Sequence, residues 1–150
     1  MGLRMSRLAR WAALAALGFA SVSVGAVELR GFRGVPWGAG VESLGDSHLV
    51  SAQGEVRCYR RERENLLYGD APLREVRFCF HADRLVMVVV DAQVGPQALR
   101  GEFESSYGPP RVSSVSTALW GDSSTRARVE IDAPAANAPA SMRMYSNEYR

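Results

Sequence analysis

The sequence predicts an α+β domain: an antiparallel sheet with one or two helices packed on one of its faces. The main observation is the stretch from Leu73 to Asp91, where alternating apolar residues are followed by a short polar break and an almost continuous apolar run. This pattern is typical of a β-hairpin whose second strand, at 84–91, lies in the middle of a sheet. The second observation is a helical repeat at 96–107, which further strand patterns follow.

Residues 1–26 have the features of a secretory signal peptide. A positively charged start precedes an apolar stretch of about ten residues, and small residues stand before a cleavage point at Val27. An uncleaved membrane anchor is the alternative, but a bilayer span needs roughly 20 apolar residues. We therefore predict export to the periplasm or the exterior, a single domain at 27–150 and no stable membrane span after signal cleavage.

The charge balance gives no case for a nucleic-acid partner. The whole chain carries 18 basic and 16 acidic residues, and three of the basic residues lie in the signal segment. The rest of the chain has 15 arginines and 16 acidic residues, which gives a net charge of −1. This balance argues against nucleic acid or an anionic membrane surface as a partner. The chain contains no Lys, which excludes Schiff-base and Walker-type lysine chemistry.

Four segments are predicted before the central hairpin. In order they are an irregular segment at 27–40, a short helix at 40–50, a strand at 55–61 and a small strand at 66–68. Gly45 is unfavourable inside the short helix, because glycine loses more backbone entropy there than other residues. The turn residues at 69–72 then lead into the hairpin.

The helix at 96–107 has the clearest helical pattern in the chain. Pro96 suits its first turn, and large apolar residues recur every four positions from Leu99 to Tyr107. Gly108 is expected to end the helix in a left-handed conformation, and the two prolines after it prevent continuation.

A second hairpin is predicted after the helix, from strands at 113–120 and 125–132, and a last strand at 141–145. Alternation indicates which side chains of this hairpin share one inward face. These are Ala127, Val129 and Ile131 from the second strand, and Val115, Thr117 and Leu119 from the first. The order of helices and strands suggests two αβββ-type halves, at 37–92 and 93–146.

Cys58 and Cys79 are the two cysteines of the chain. If the strands at 55–61 and 76–82 pair antiparallel, the two residues lie directly opposite each other, within reach of a structural disulfide. An even cysteine count in an exported protein favours that bond. Two free buried thiols and a metal site are the alternatives. In the metal alternative His81, on the same strand face as Cys79, would join the two cysteines as the third of three Zn or Cu ligands, and the sequence does not identify a fourth.

No catalytic residue and no cofactor are predicted. The sequence has no Gly-x-Ser-x-Gly elbow, no glycine-rich phosphate loop and no His-Glu-x-x-His motif. His48 and His81 are expected in exposed polar segments. An enzyme would need one of them beside a carboxylate in a deep pocket.

A candidate binding face consists of Trp120, Arg126 and Arg128, near the turn of the second hairpin. Trp and Arg often anchor protein partners. For Trp120 two interpretations stay open: it either closes the end of the core or anchors a partner.

Several short motifs also occur together in one group of proteins. They are Phe-Arg-Gly-Val-Pro-Trp-Gly at 32–38, Tyr-Arg-Arg at 59–61, Val-x-Phe-x-Phe at 76–80 with Arg84-Leu85, Tyr-Gly-x-Pro at 107–110 and Leu119-Trp120. With them the chain resembles small uncharacterised exported (periplasmic) proteins of Gram-negative bacteria that share a Phe-x-Gly-x-x-Trp-Gly opening. Phe78 stands where that group often has Tyr. The resemblance implies export and an α+β fold, and it brings no catalytic residues.

We therefore expect an exported, non-enzymatic module that binds another envelope protein or macromolecule or acts in envelope maintenance. The alternatives are a periplasmic protein that binds Zn or Cu and a small hydrolase.

Overall fold

The structure is a computed structural model that describes residues 28–149. The predicted signal peptide at 1–26 lies outside the described residues. Strands make up 47% of the described part and helices 14%, with one helix of seven or more residues. The fold is therefore a β-rich antiparallel fold, and the predicted α+β class is wrong.

Eleven strands and one α-helix follow one another along the described chain. The strands are β1 (Gly31–Phe32), β2 (Val35–Pro36), β3 (Ser47–Gln53), β4 (Val56–Arg61), β5 (Leu67–Tyr68), β6 (Ala71–His81), β7 (Arg84–Ala92), β8 (Val112–Ser113), β9 (Thr117–Trp120), β10 (Ala127–Asp132) and β11 (Ser141–Ser146). The α-helix, α1, spans Pro96–Tyr107, and a 3₁₀ turn spans Val41–Leu44.

Nine of the strands form one antiparallel sheet in the order β3-β4-β6-β7-β11-β10-β9-β8, with β5 paired to β6. β1 and β2 form a separate small hairpin. The predicted central strand at 84–91 is β7, which lies between β6 and β11. Its side chains are buried on both faces along Val88 to Val90, which explains the continuous apolar run.

The prediction of a helix at 40–50 is wrong, and with it the prediction of two αβββ-type halves. A single 3₁₀ turn ends at Gly45, whose φ is 69°, a backbone conformation that favours glycine. The residues from Ser47 onward form β3 and pair with β4. Cross-strand pairing thus prevails over a helical tendency that Gly45 had already weakened.

The sheet has two different faces. We call the face that carries Phe78, Val88 and Val129 the inner face, since it contributes most of the buried core. Helix α1 covers one part of it, where the Phe103 ring lies 4.7 Å from that of Trp120. The N-terminal segment at 28–44 covers another part, where the ring of Phe32 lies 6.3 Å from that of Phe78.

The second hairpin presents a different set of side chains from the one predicted. Ala118 and Trp120 are buried on the inner face, whereas Val115 is 68% exposed. Val129 pairs with Trp120 and so shares its face. A shift of one residue along a strand exchanges its two faces, so the predicted inward set of Val115, Thr117 and Leu119 is wrong. The inward set on β10 is confirmed, as Ala127, Val129 and Ile131 are all buried.

Helix α1 matches its predicted bounds. Pro96 occupies its first turn, and Gly108 follows its last residue with a φ of 79°. The Gly108 N–H donates a hydrogen bond to the carbonyl oxygen of Glu104 and closes the helix. Within residues 28–149, no helix combines the length and apolar character that crossing a lipid bilayer requires.

The turn between β6 and β7 contains two non-glycine residues in the left-handed region. His81 pairs with Arg84, which leaves Ala82 and Asp83 as the loop, with φ values of 49° and 58°. Asp83 gains from this position, because its Oδ1 atom accepts a hydrogen bond of 3.2 Å from the Val41 N–H. The methyl side chain of Ala82 has no hydrogen-bonding atom that could offset the cost in the same way.

Replacement of Ala82 by Asn is expected to raise the free energy of unfolding by about 0.5–1 kcal/mol, because asparagine tolerates the left-handed region better than alanine. Ala82→Val is the matched control and should lower the stability, since β-branched residues fit this region poorly. Urea unfolding of both variants measures the difference. Equal stability of the two variants would contradict the assigned turn.

Candidate functional site at the sheet margin

Cys58 and Cys79 lie directly opposite each other in neighbouring strands, so the predicted register is confirmed. Their Cα atoms are 4.0 Å apart and their sulfur atoms are at bonding distance. The pair lies on the outer face, the face opposite the core, where it contacts Val89. Both sulfur atoms are bonded to each other, so neither is a free thiolate that could join His81 in holding a metal.

The outer face carries a shallow depression above the disulfide, with a volume of about 290 Å³. Arg77 and Arg143 flank it. Arg77 is 3.0 Å from Asp91, and Arg143 is 3.3 Å from Asp132. Because the charges beside this depression are already paired, the depression offers little electrostatic attraction to a charged partner.

The residues of the predicted binding face do not form one exposed surface. Trp120 is 0% exposed, and its indole N–H donates a hydrogen bond of 2.9 Å to the Gly108 carbonyl oxygen. It therefore closes the end of the core and does not anchor a partner, which decides between the two interpretations of the sequence. Arg128 stacks over Tyr145, while Arg126 is 4.0 Å from Glu148. Burial raises the pKa of the Tyr145 phenol, and the nearby Glu130 carboxylate adds to the shift.

A cleft between the N-terminal hairpin and the end of α1 is braced by internal contacts. Its lining includes Phe32, Arg33 and Tyr107. Arg33 bonds Glu64 at 2.8 Å and also donates to two backbone carbonyls. Tyr68 lines an adjoining pocket that shares Phe32, Arg33 and Tyr107 with the cleft, and burial raises the pKa of its phenol. These internal contacts hold the Arg33 guanidinium in place, so we assign it a structural role.

Each of the two histidines contacts an exposed glutamate. The ring of His48 lies 3.2 Å from Glu62, and that of His81 lies 2.9 Å from Glu55. Glu55 is 84% exposed, and within residues 28–149 neither histidine has a hydrogen bond to a serine or threonine hydroxyl. Neither pair has the buried, oriented base that a hydrolase requires.

Strand β3 forms one margin of the sheet. It pairs with β4 along one edge, and no described strand pairs with its other edge. Six of its seven residues are exposed, and Leu49 is 48% exposed. Its sequence, Ser-His-Leu-Val-Ser-Ala-Gln, contains no Asp, Glu, Lys or Arg. The opposite margin is β8, which has only two residues and follows Pro109-Pro110.

A bulge divides β3 at Val50. Leu49 pairs with Tyr59 and Ser51 pairs with Cys58, so one extra residue stands in β3. Directly opposite residues share a face of the sheet. Leu49 and Ala52 therefore both lie on the inner face, although they are three positions apart.

The inner face is uncovered beside this margin and forms what we call the margin cavity, with a volume of about 540 Å³. Its lining comprises Gly54, Glu55, Arg57, Tyr59, Phe80, Ala82 and Asp83. The rings of Tyr59 and Phe80 form its floor and meet edge to face, with centroids 5.7 Å apart. Such a site presents aromatic surface and an arginine beside a free strand edge.

Sequence reasoning missed both parts of this site. The predicted helix at 40–50 overlaps the first part of β3, and the predicted strand at 55–61 contains Arg57 without giving it a functional role. One signal was available, because 47–53 is an uncharged run inside a chain in which 23% of residues are charged. The exposure of that run, however, depends on which strand ends the sheet, and this is a property of the tertiary fold.

Within residues 28–149, no group of three or more His, Cys, Asp or Glu side chains is placed to hold a metal ion. Comparison of the chain with known protein families, with curated proteins and with solved structures gives no match in any of the three.

Proposed function

We propose that this protein is an exported, non-enzymatic module that binds an extended segment of another envelope protein along the free edge of β3. The main support for this proposal is the free edge of β3. The strand has seven residues, of which six are exposed and none is Asp, Glu, Lys or Arg. A free strand edge presents unpaired backbone N–H and C=O groups, which an extended peptide can satisfy by adding a strand.

The contrast between the two margins supports this proposal. Natural proteins protect exposed edges with charged residues, prolines, bulges or very short strands. The β8 margin has a two-residue strand preceded by two prolines. The β3 margin has only the bulge at Val50. The bulge interrupts the edge, which limits open-ended stacking of sheets while leaving Ser51–Gln53 available for pairing.

The disulfide supports the proposed export of the protein. Disulfide bonds persist in oxidising compartments such as the periplasm and the exterior. The Cys58–Cys79 bond joins β4 to β6 next to the margin. It holds the strand on which β3 depends, so an oxidising compartment would maintain the proposed binding edge.

A panel of fluorescent ten-residue peptides with alternating apolar and polar residues tests the proposal. We expect binding to the wild-type protein in fluorescence anisotropy, and slower hydrogen exchange of β3 amides in the complex. Leu49→Lys and Leu49→Asp should each weaken binding about tenfold or more, since charges on an edge strand oppose pairing whatever their sign.

Val115→Lys and Val115→Asp are the matched controls, because Val115 is an exposed apolar residue near the opposite margin. They should leave the affinity unchanged. Thermal unfolding confirms that each variant is folded. If no peptide in the panel binds, or if Leu49 and Val115 variants behave alike, binding at the β3 edge is wrong.

A further inference from the structure

Two arginines of β4, Arg57 and Arg61, lie on the inner face directly opposite residues of β3. Arg61 donates a hydrogen bond to the Arg33 carbonyl oxygen and lies over the Phe78 ring, which leaves Arg57 to be considered as a ligand group. Arg57 lies on β4, directly opposite Ala52 on β3, and both face the margin cavity side of the sheet. Alanine is small, so the Arg57 side chain can extend across β3 toward a strand added beside it. A residue of the added strand next to Ala52 would be about 10 Å from the Arg57 backbone, which is two strand spacings.

Arg57 is exposed and lines the margin cavity, and within residues 28–149 it has no ion pair and no side-chain hydrogen bond. The other charged groups of that cavity are already engaged. Glu55 is bonded to His81 at 2.9 Å, and Asp83 accepts the Val41 N–H. Arg57 is therefore the cationic group of the cavity that is available to a ligand.

The surroundings of Arg57 favour a carboxylate that also brings apolar surface. Tyr59 and Phe80 form an aromatic floor beside the guanidinium, and a low-dielectric floor strengthens an ion pair. Arginine binds a carboxylate through two parallel hydrogen bonds. Leu49 lies on the same inner face as Ala52. If one residue of the added strand lies beside Ala52, the residue two positions along on the same face would lie near the Leu49 side chain.

We infer that the partner segment carries a carboxylate two residues away from an apolar side chain, and that Arg57 binds this carboxylate. The inference rests on the proposed addition of a strand to β3. It names the chemistry of the segment: an extended acidic peptide with alternating side chains, supplied by another protein rather than by a second copy of this chain.

Three peptides that differ at one central same-face position, Glu, Gln or Lys, test this inference. Against the wild-type protein, we expect the Glu peptide to bind about tenfold more tightly than the Lys peptide, with the Gln peptide between them. Higher salt should reduce the difference, because the ion pair is partly solvated.

Substitutions of Arg57 then separate charge from fold. Arg57→Gln should reduce the preference for Glu to less than about twofold, and Arg57→Glu should reverse it in favour of the Lys peptide. Arg74→Gln is the matched control, since Arg74 is also exposed without an ion-pair partner within 28–149 but lies six residues from Phe80 along β6. It should keep the wild-type preference.

The outcomes distinguish the two proposals. If the three peptides bind equally well and Leu49→Lys still abolishes binding, strand addition stands and the role of Arg57 is wrong. If none binds, both are wrong. If sedimentation shows a dimer of this chain that Leu49→Lys dissociates, the occupant of the edge is a second copy, and the inference of an acidic partner segment is overturned.

Discussion

Replacement of both Cys58 and Cys79 by alanine is expected to lower the free energy of unfolding by about 3 kcal/mol. The two residues are 21 positions apart in sequence. In the chain-entropy model, a disulfide that closes a loop of that size lowers the entropy of the unfolded chain and so stabilises the folded state by about 3 kcal/mol. For a domain of this length the midpoint of thermal unfolding should fall by roughly 10 °C. Thermal unfolding followed by circular dichroism measures it.

Reduction of the wild-type protein provides the matched comparison. A reducing agent should lower the wild-type midpoint by a similar amount and should leave the double variant unchanged. Because Cys79 is fully buried, the alanine variant also loses some packing, so its midpoint should be the lower of the two. A wild-type protein that is insensitive to reduction under unfolding conditions would contradict a stabilising bond.

Replacement of Trp120 by alanine is expected to lower the free energy of unfolding by about 3–5 kcal/mol, the range for a large aromatic residue removed from a core. Trp120 is fully buried against Phe103. The substitution also leaves the Gly108 carbonyl oxygen without its 2.9 Å hydrogen bond from the indole, which adds the cost of an unsatisfied polar group.

Two further variants sharpen the test at Trp120. Trp120→Phe keeps most of the apolar volume and loses the hydrogen bond, so its loss of stability should be clearly smaller than that of the alanine variant. Arg126→Ala changes a neighbouring residue that is partly exposed, and surface substitutions of this kind usually change stability by less than about 0.5 kcal/mol. Urea unfolding compares all three. A neutral Trp120→Ala substitution would show that the residue is not part of the core.

The prediction of individual strands depended on local patterns and was largely successful around the centre of the sheet. The alternation before His81 and the apolar run after Arg84 identified β6 and β7, because residues buried on one or both faces must be apolar. The pairing of Cys58 with Cys79 followed from the same register. Helix α1 followed from its four-residue repeat and its glycine end.

The predictions of the fold class and of the buried face of the strand before Trp120 were wrong where the local sequence pattern was weak. The strand containing Trp120 has only four residues, and alternation over so short a strand does not say which face is inward. The segment after Gly45 has no strong repeat of either kind. This segment becomes a strand because it pairs with β4. Packing against a neighbouring strand decides strand formation more than the intrinsic preference of the residues does.

The candidate site was beyond the reach of sequence patterns for a related reason. The sequence by itself determined the central strands, the disulfide register and the helix, since each depends on the spacing of residues along one segment or between two adjacent ones. Only the tertiary structure decided that β3 ends the sheet and that Arg57 faces an uncovered cavity beside it. The physical reason is that exposure of an edge or a face depends on which distant segments cover it, and no local periodicity records that.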